Sequence, residues 1–152
     1  MNWKSINRRL FLKVSAACAS WFVLPVNAKP AEAQQEVQKI LAGVTPKLGR
    51  VHLELPPLVD NGNLVVISVA VDSPMTLKDH VQSIHLVAEG NPLPRIFSAY
   101  MDQRAGKAAF TIRVRLAESQ KVWAIAKMSD GSCWYQTADT VVTTSACTED
   151  LV

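Results

Sequence analysis

Three cysteines and three histidines are the residues of this 152-residue chain best suited to bind a metal, act as a base or form a covalent bond. The histidines form no ligand pattern. His52 occupies the polar face of the alternating stretch Val51-His52-Leu53-Glu54-Leu55. His80 and His85 stand five apart in a turn leading into a strand, a spacing that puts them on opposite faces if the strand is continuous. With no Cys-x-x-Cys, no His-x-x-x-His and no pair of carboxylates beside them, they read as solvated or hydrogen-bonded surface histidines, and neither a metal nor another cofactor is expected. Ser132 belongs to Ser129-Asp130-Gly131-Ser132, a hairpin turn and not the strand-to-helix elbow of a hydrolase nucleophile. Glycine is scarce, with 6 in the chain, and no glycine-rich phosphate loop is present.

The thiols differ from one another by position. Cys18 lies in the N-terminal leader and is expected to be removed with it. Cys133 opens Cys-Trp-Tyr-Gln-Thr directly after the hairpin turn and reads as a small apolar residue at the edge of a packed sheet. Cys147 follows the last β-rich stretch among Ser145, Ala146, Thr148, Glu149 and Asp150, and is expected to be exposed. Along one extended segment Cys133 and Cys147 lie about 46 Å apart, whereas a disulfide needs Cα atoms within about 7 Å. A bridge would require the tail to fold back, for example over a bulge near Ala138-Asp139. A free tail cysteine serves as a nucleophile, as an attachment point for a covalent group, or for nothing.

The elements that position these residues follow from patterning. Met1 to Ala28 read as a cleavable export signal. A basic start precedes a weakly hydrophobic run from Val14 to Val26, which is too short for the roughly twenty apolar residues of a membrane-spanning helix. Asn7-Arg8-Arg9-Leu10-Phe11-Leu12-Lys13 resembles the twin-arginine signal, with Arg8, Arg9, Phe11 and Leu12 as its carriers; a general-secretion leader gives the same periplasmic destination. Of 16 Lys and Arg, four lie in that leader, whereas all 13 Asp and Glu follow it. The remaining chain is therefore close to neutral and has no basic field for nucleic acid.

Beyond the leader, Pro30 to Gly43 predict a short helix. Glu32 and Glu36 favour its N-terminal end, Val37, Ile40 and Leu41 form an apolar stripe, and Gly43 and Pro46 stop it. From Arg50 the period changes to two. Alternating runs are separated by turn signals at Asn61-Gly62, Asp72-Ser73-Pro74, Gly106 and Ser129-Asp130-Gly131, with the segment after Gly131 divided in two, and they make about seven strands. This predicts a mainly β, immunoglobulin-like antiparallel β-sandwich with a short N-terminal helix. The Cys…Trp…Cys signature of antibody domains is missing, so Trp123 and Trp134 read as core or interface aromatics. The expected boundaries are 1–28 for the signal, 29–45 for helix and linker, 46–145 for the sandwich and 146–152 for a C-terminal arm.

Taken in order, Thr45-Pro46 with Gly49, Val-His-Leu-Glu-Leu-Pro from Val51, Asn61 to Met75, Ile84 to Phe97, and Val114 to Ser132 resemble the Y-type sulfur carrier of the bacterial sulfur-oxidising (Sox) system. The resemblance implies a non-enzymatic periplasmic carrier with an immunoglobulin-like fold. It implies a heterodimer with a smaller Z-type subunit, Sox pathway enzymes as further partners, and sulfur oxyanions held covalently on a cysteine in a glycine-rich arm, Gly-Gly-Cys-Gly-Gly. Cys147 is the matching residue by its place after the final strand. Here Ser145, Ala146, Thr148 and Glu149 replace the glycines, and Asp150, Leu151 and Val152 follow. Those side chains restrict the backbone and add bulk, and Glu149 and Asp150 repel anionic thiosulfate. The resemblance also admits a module that keeps the partner surface but not the carrier chemistry, and a thiol oxidoreductase would need Cys133 and Cys147 to cycle.

Overall fold

The computed structural model describes residues 29–143. Cys18, Cys147 and the export-signal residues Arg8, Arg9, Phe11 and Leu12 lie outside the described residues. The first element is the expected helix, α1 (Lys29–Leu41). Ala42 and Gly43 follow it in the left-handed region, at φ 51° and 85°, and glycine adopts that conformation without strain at the helix stop. The apolar stripe Val37, Ile40 and Leu41 is buried as expected, together with Ala33, whose small side chain gave no hydropathy signal of its own.

Nine strands follow among the described residues: β1 (Lys47–Leu48), β2 (Val51–Glu54), β3 (Leu58–Val59), β4 (Val65–Val71), β5 (Val81–Ala88), β6 (Arg95–Tyr100), β7 (Ala109–Val114), β8 (Gln120–Met128) and β9 (Cys133–Val142). They form two packed layers. The larger sheet runs β1-β9-β8-β5-β6, with β3 also on β9; the smaller runs β2-β4-β7. The predicted sandwich is therefore observed, and two particulars differ. The segment after Gly131 is one 10-residue strand, because β8 pairs with it in unbroken register from Lys127↔Cys133 to Gln120↔Thr140, with no bulge at Ala138-Asp139. The two-residue strands β1 and β3 were not anticipated, and both join β9 in parallel.

The core lies between the layers. Val51 and Leu53 of β2 and Val65, Ile67, Val69 and Val71 of β4 meet Ile84, Leu86, Val122, Ala124 and Met128 of the larger sheet. Alternation along β2 thus does what a period of two implies, apolar side chains inward and polar ones out, whereas in β4 the burial alternates although Val66 and Ala70 stand on the outer face. Strand β5 is buried on both faces because α1 covers its outer side. There Ala33, Val37, Ile40 and Leu41 pack on Val87, Ile125 and Cys133, with Trp123 and Tyr135 at the rim. Glu36 of α1 forms an ion pair with Arg95 at the start of β6 and a second, at 3.4 Å, with Lys39.

Candidate functional site

Cys147 is the candidate reactive residue, and the described chain leads to within four residues of it at Thr143. Strand β9 is held on both sides as it approaches that point. On one side Thr140 Oγ1 donates to the Pro56 carbonyl (2.7 Å), and the Val141 and Thr143 amides donate to the carbonyls of Pro57 and Val59 (2.9 Å each). On the other side the Val142 amide donates to Ser119 Oγ (2.9 Å). Gly62 braces the same end: a Cβ there would sit 2.3 Å from the Leu116 carbonyl oxygen and 2.9 Å from Val142 Cγ1, so only glycine lets this loop close on the strand. The backbone geometry therefore gives the tail a fixed root.

The opposite end of β9 holds Cys133. Its side chain is 1% exposed beneath α1, and burial pushes its thiol up, with Lys127 offsetting part of that rise. A buried thiol kept in its protonated form is an inert packing residue, as the sequence implied. The strand's 10 residues place Cys133 about 30 Å from the tail root, and four further residues reach back only about 13 Å. A disulfide between Cys133 and Cys147 is out of reach without unfolding β9.

The histidines are dispersed. His52 Nε2 lies 2.7 Å from Asp72 Oδ2, a carboxylate brought alongside by the antiparallel register of β2 and β4 and not visible as a sequence neighbour. His80 precedes β5, and its Nδ1 lies 3.0 Å from the Thr76 carbonyl oxygen. His85 corrects the surface reading. It is 5% exposed on the outer face of β5, with Nδ1 2.8 Å from Ser98 Oγ and Nε2 3.0 Å from Ser83 Oγ, and the edge of Tyr100 against its ring. Burial lowers its pKa, as do the positive charges of Arg95 and Lys127. Among the described residues no three His, Cys, Asp or Glu side chains gather as a metal site.

The turn and aromatic readings hold. Ser132 donates to Asp130 through both Oγ (2.6 Å) and its amide (2.8 Å), which fixes the hairpin and holds the Asp130 carboxyl below its usual range. Trp123 stacks on Tyr135 at 5.3 Å and donates to Glu89 Oε1 (2.7 Å). Lys47 of β1 and Arg50 just beyond it lie 5.7 and 5.6 Å from the Trp134 ring, contacts brought about by the pairing of β1 with β9 that no sequence pattern marked.

Several solved structures share this fold. The sulfur carrier protein SoxY from Chlorobium limicola f thiosulfatophilum matches with a TM-score of 0.62 at 17% identity, over 74% of this chain and 97% of that one. The superoxide reductase (neelaredoxin) from Ignicoccus hospitalis matches at 0.55 and 18%, over 62% and 80%, and the superoxide reductase from Nanoarchaeum equitans at 0.53 and 16%, over 62% and 99%. At such identities these likenesses establish the sandwich and nothing about chemistry. No curated protein matches the sequence. The family model of the sulfur oxidation protein SoxY matches residues 37–147, from the middle of α1 through the candidate cysteine, and the chain belongs to that family.

Proposed function

We propose that this protein is a periplasmic sulfur carrier of a thiosulfate-oxidising pathway, with Cys147 as the covalent attachment point and the sandwich as the partner-recognition body. The observation that supports this reading is the contrast at the tail root. Strand β9 is bonded on both sides up to Thr143, and a cysteine follows four residues later within the span of the family match. A thiol presented on an arm from a rigid body reaches the active sites of separate enzymes while its cargo stays attached.

Loading joins Cys147 Sγ to the outer sulfur of thiosulfate. The thiol proton and two electrons leave as the S–S bond forms, so a separate oxidising enzyme has to accept the electrons. The chain then acts as carrier and not as catalyst, with Sox pathway enzymes and a smaller Z-type subunit as its partners. Arg8, Arg9, Phe11 and Leu12 direct export by the twin-arginine route, which carries folded cargo. In this reading residues 1–28 are the signal, 29–45 the helix and linker, 46–145 the body and 146–152 the arm.

Mass spectrometry of the protein recovered from cells oxidising thiosulfate tests this directly. The expected result is a sulfur adduct on the peptide containing Cys147, and its disappearance in Cys147→Ser. An unmodified Cys147 peptide, under conditions where another SoxY protein is loaded, would sink the proposal.

A further inference from the structure

The two edges of the sandwich are unlike. At one, β1, β2 and β3 pass beside β9 and close the layers together, with the Leu53 amide donating to Gln136 Oε1 (2.8 Å). At the other, among the described residues, β6 pairs only with β5 and β7 only with β4, so two strand edges stand open side by side. Between them the core opens sideways as a groove of about 1010 Å³, floored by Ile96 and Phe97 of one layer and Ile112 and Val114 of the other. All four pack on the core yet are only partly buried, and Leu93 stands 80% exposed at the lip.

The free edge of β7 is a backbone template. The Val71 amide donates to the Ala108 carbonyl (2.9 Å), so the even-numbered residues turn their amides and carbonyls toward β4. By the alternation of an antiparallel ladder, those of Ala109, Thr111 and Arg113 point away from it. The side chains alternate in step. Ile112 and Val114 face the core, Thr111 and Arg113 the outer face, and Arg115 continues that outer row just beyond the strand. Arg95 borders the groove from the other layer, where Glu36 engages it. A strand laid on this edge meets apolar surface on one of its faces and positive charge on the other.

We propose that β7 is the docking edge for an extended segment of a partner protein whose residues alternate apolar and acidic, added antiparallel as the next strand of the smaller sheet. Its apolar side chains enter the groove over Ile112 and Val114, its carboxylates stand beside Arg113 and Arg115, and its backbone takes up the free groups of Ala109, Thr111 and Arg113. Antiparallel addition is the more stable per residue. A second copy of this chain fits worse. Paired about a two-fold axis, β7 would set Arg113 and Arg115 against the same residues of its copy, and like charges across a strand pair repel. This names the surface by which the body recognises a partner and so rests on that part of the proposed function; it requires neither Cys147 nor a sulfur cargo.

Peptide binding to the full chain tests the edge without any sulfur compound, so failure here is separate from an unloaded Cys147. The probe is a fluorescent, end-blocked peptide of about eight residues alternating Glu and Val, long enough to cover β7, read by anisotropy at low salt. It is expected to bind at least about tenfold more tightly than a Lys-Val peptide. Arg113→Glu with Arg115→Glu is expected to reverse that order, which shows together that the variant is folded and that charge selects the ligand. N-methylation of the peptide's glutamates, whose amides face β7 in antiparallel addition, is expected to cost at least about tenfold in affinity with the charge unchanged. No binding of the Glu-Val peptide, equal binding of the two peptides, or indifference to N-methylation overturns the proposal. So does a dimer of the protein alone, seen by sedimentation and dissociated by the peptide, which would assign the edge to a second copy.

Discussion

Strand β9 separates the two cysteines of the body and tail, and its two ends are built differently. At the N-terminal end Cys133 faces α1, and packing by Ile40, Leu41 and Ile125 leaves it 1% exposed with its thiol pushed toward the protonated form. At the C-terminal end the backbone is tied on both sides as far as Thr143, and Cys147 lies beyond that anchor. Residue type alone does not tell a packing cysteine from the proposed carrier; their places on either side of the anchored strand separate them in the sequence. One sharp consequence is a difference in labelling. A maleimide probe is expected to modify Cys147 at least about 10³ times faster than Cys133, because the buried thiol reacts only through rare unfolding. Peptide mapping after timed labelling reads the ratio, and comparable rates at the two sites would collapse the comparison.

The next test loosens only the buried end. Ile125 of β8 is 1% exposed beneath α1 and belongs to the same cluster as Cys133. Ile125→Ala is expected to cost about 2–5 kcal/mol of stability through lost transfer energy and a residual cavity. Denaturant unfolding gives that number. In the same variant Cys133 should label faster while Cys147 keeps its rate, since the tail root is tied to β3 and to Ser119, not to α1. Equal acceleration at both cysteines would mean that the two ends of β9 open as one unit.

Much of this architecture was legible in the sequence, and the exceptions have physical causes. Strands β2 and β7 each have one solvated face, so hydropathy alternates along them, while β4 alternates in burial but keeps the apolar Val66 and Ala70 on its outer face. In β5 the outer face is covered by α1, which erased the alternation and hid the burial of His85. Strands β1 and β3 are two residues each, too short for any period, yet they determine how β9 is anchored. The pairing of His52 with Asp72 depends on strand register, and that of Trp134 with Lys47 and Arg50 on a parallel contact; neither has a local signal. The candidate Cys147 is marked in the sequence by its place after the last β-rich stretch, its carrier role is what the family resemblance implies, and it lies outside the described residues. The glycine Gly62 was recognised as a turn signal, but its closeness to Leu116 and Val142 is a property of the folded chain.

Gly62 permits a test of the other end. In Gly62→Ala the added Cβ meets the backbone oxygen of Leu116, which cannot rotate away as a side chain could, and the loop must shift from β9. A loss of about 1–3 kcal/mol is expected, in the range of overpacked sites. Hydrogen exchange should then quicken at the Val141 and Thr143 amides, whose acceptors Pro57 and Val59 lie just before this loop, and stay unchanged at Trp134. Exchange that quickens uniformly along β9 would remove the idea of a separately braced root.

The smallest effect concerns protons and again sets the covered face apart. Burial drives Cys133 and His85 in opposite directions on the pH scale, the thiol up and the imidazole down, because in both cases it favours the neutral form. For His85 the groups facing it are Arg95 on β6 and Lys127 on β8, which lower its pKa further, and Glu36 on α1, which opposes them. The folded protein therefore resists a proton that the unfolded chain takes up near pH 6.5. Stability from this residue is intact above that pH and is lost as the pH falls toward the lower folded value, by at most about 1.4 kcal/mol per pH unit. His85→Gln keeps a side chain able to bond a serine hydroxyl but cannot take up the proton. Thermal unfolding at pH 7.5 and 5.5 should show a smaller drop for the variant than for the parent protein. An equal drop would mean that the covered face does not exclude the proton, and that α1 shields Cys133 less completely than its burial implies.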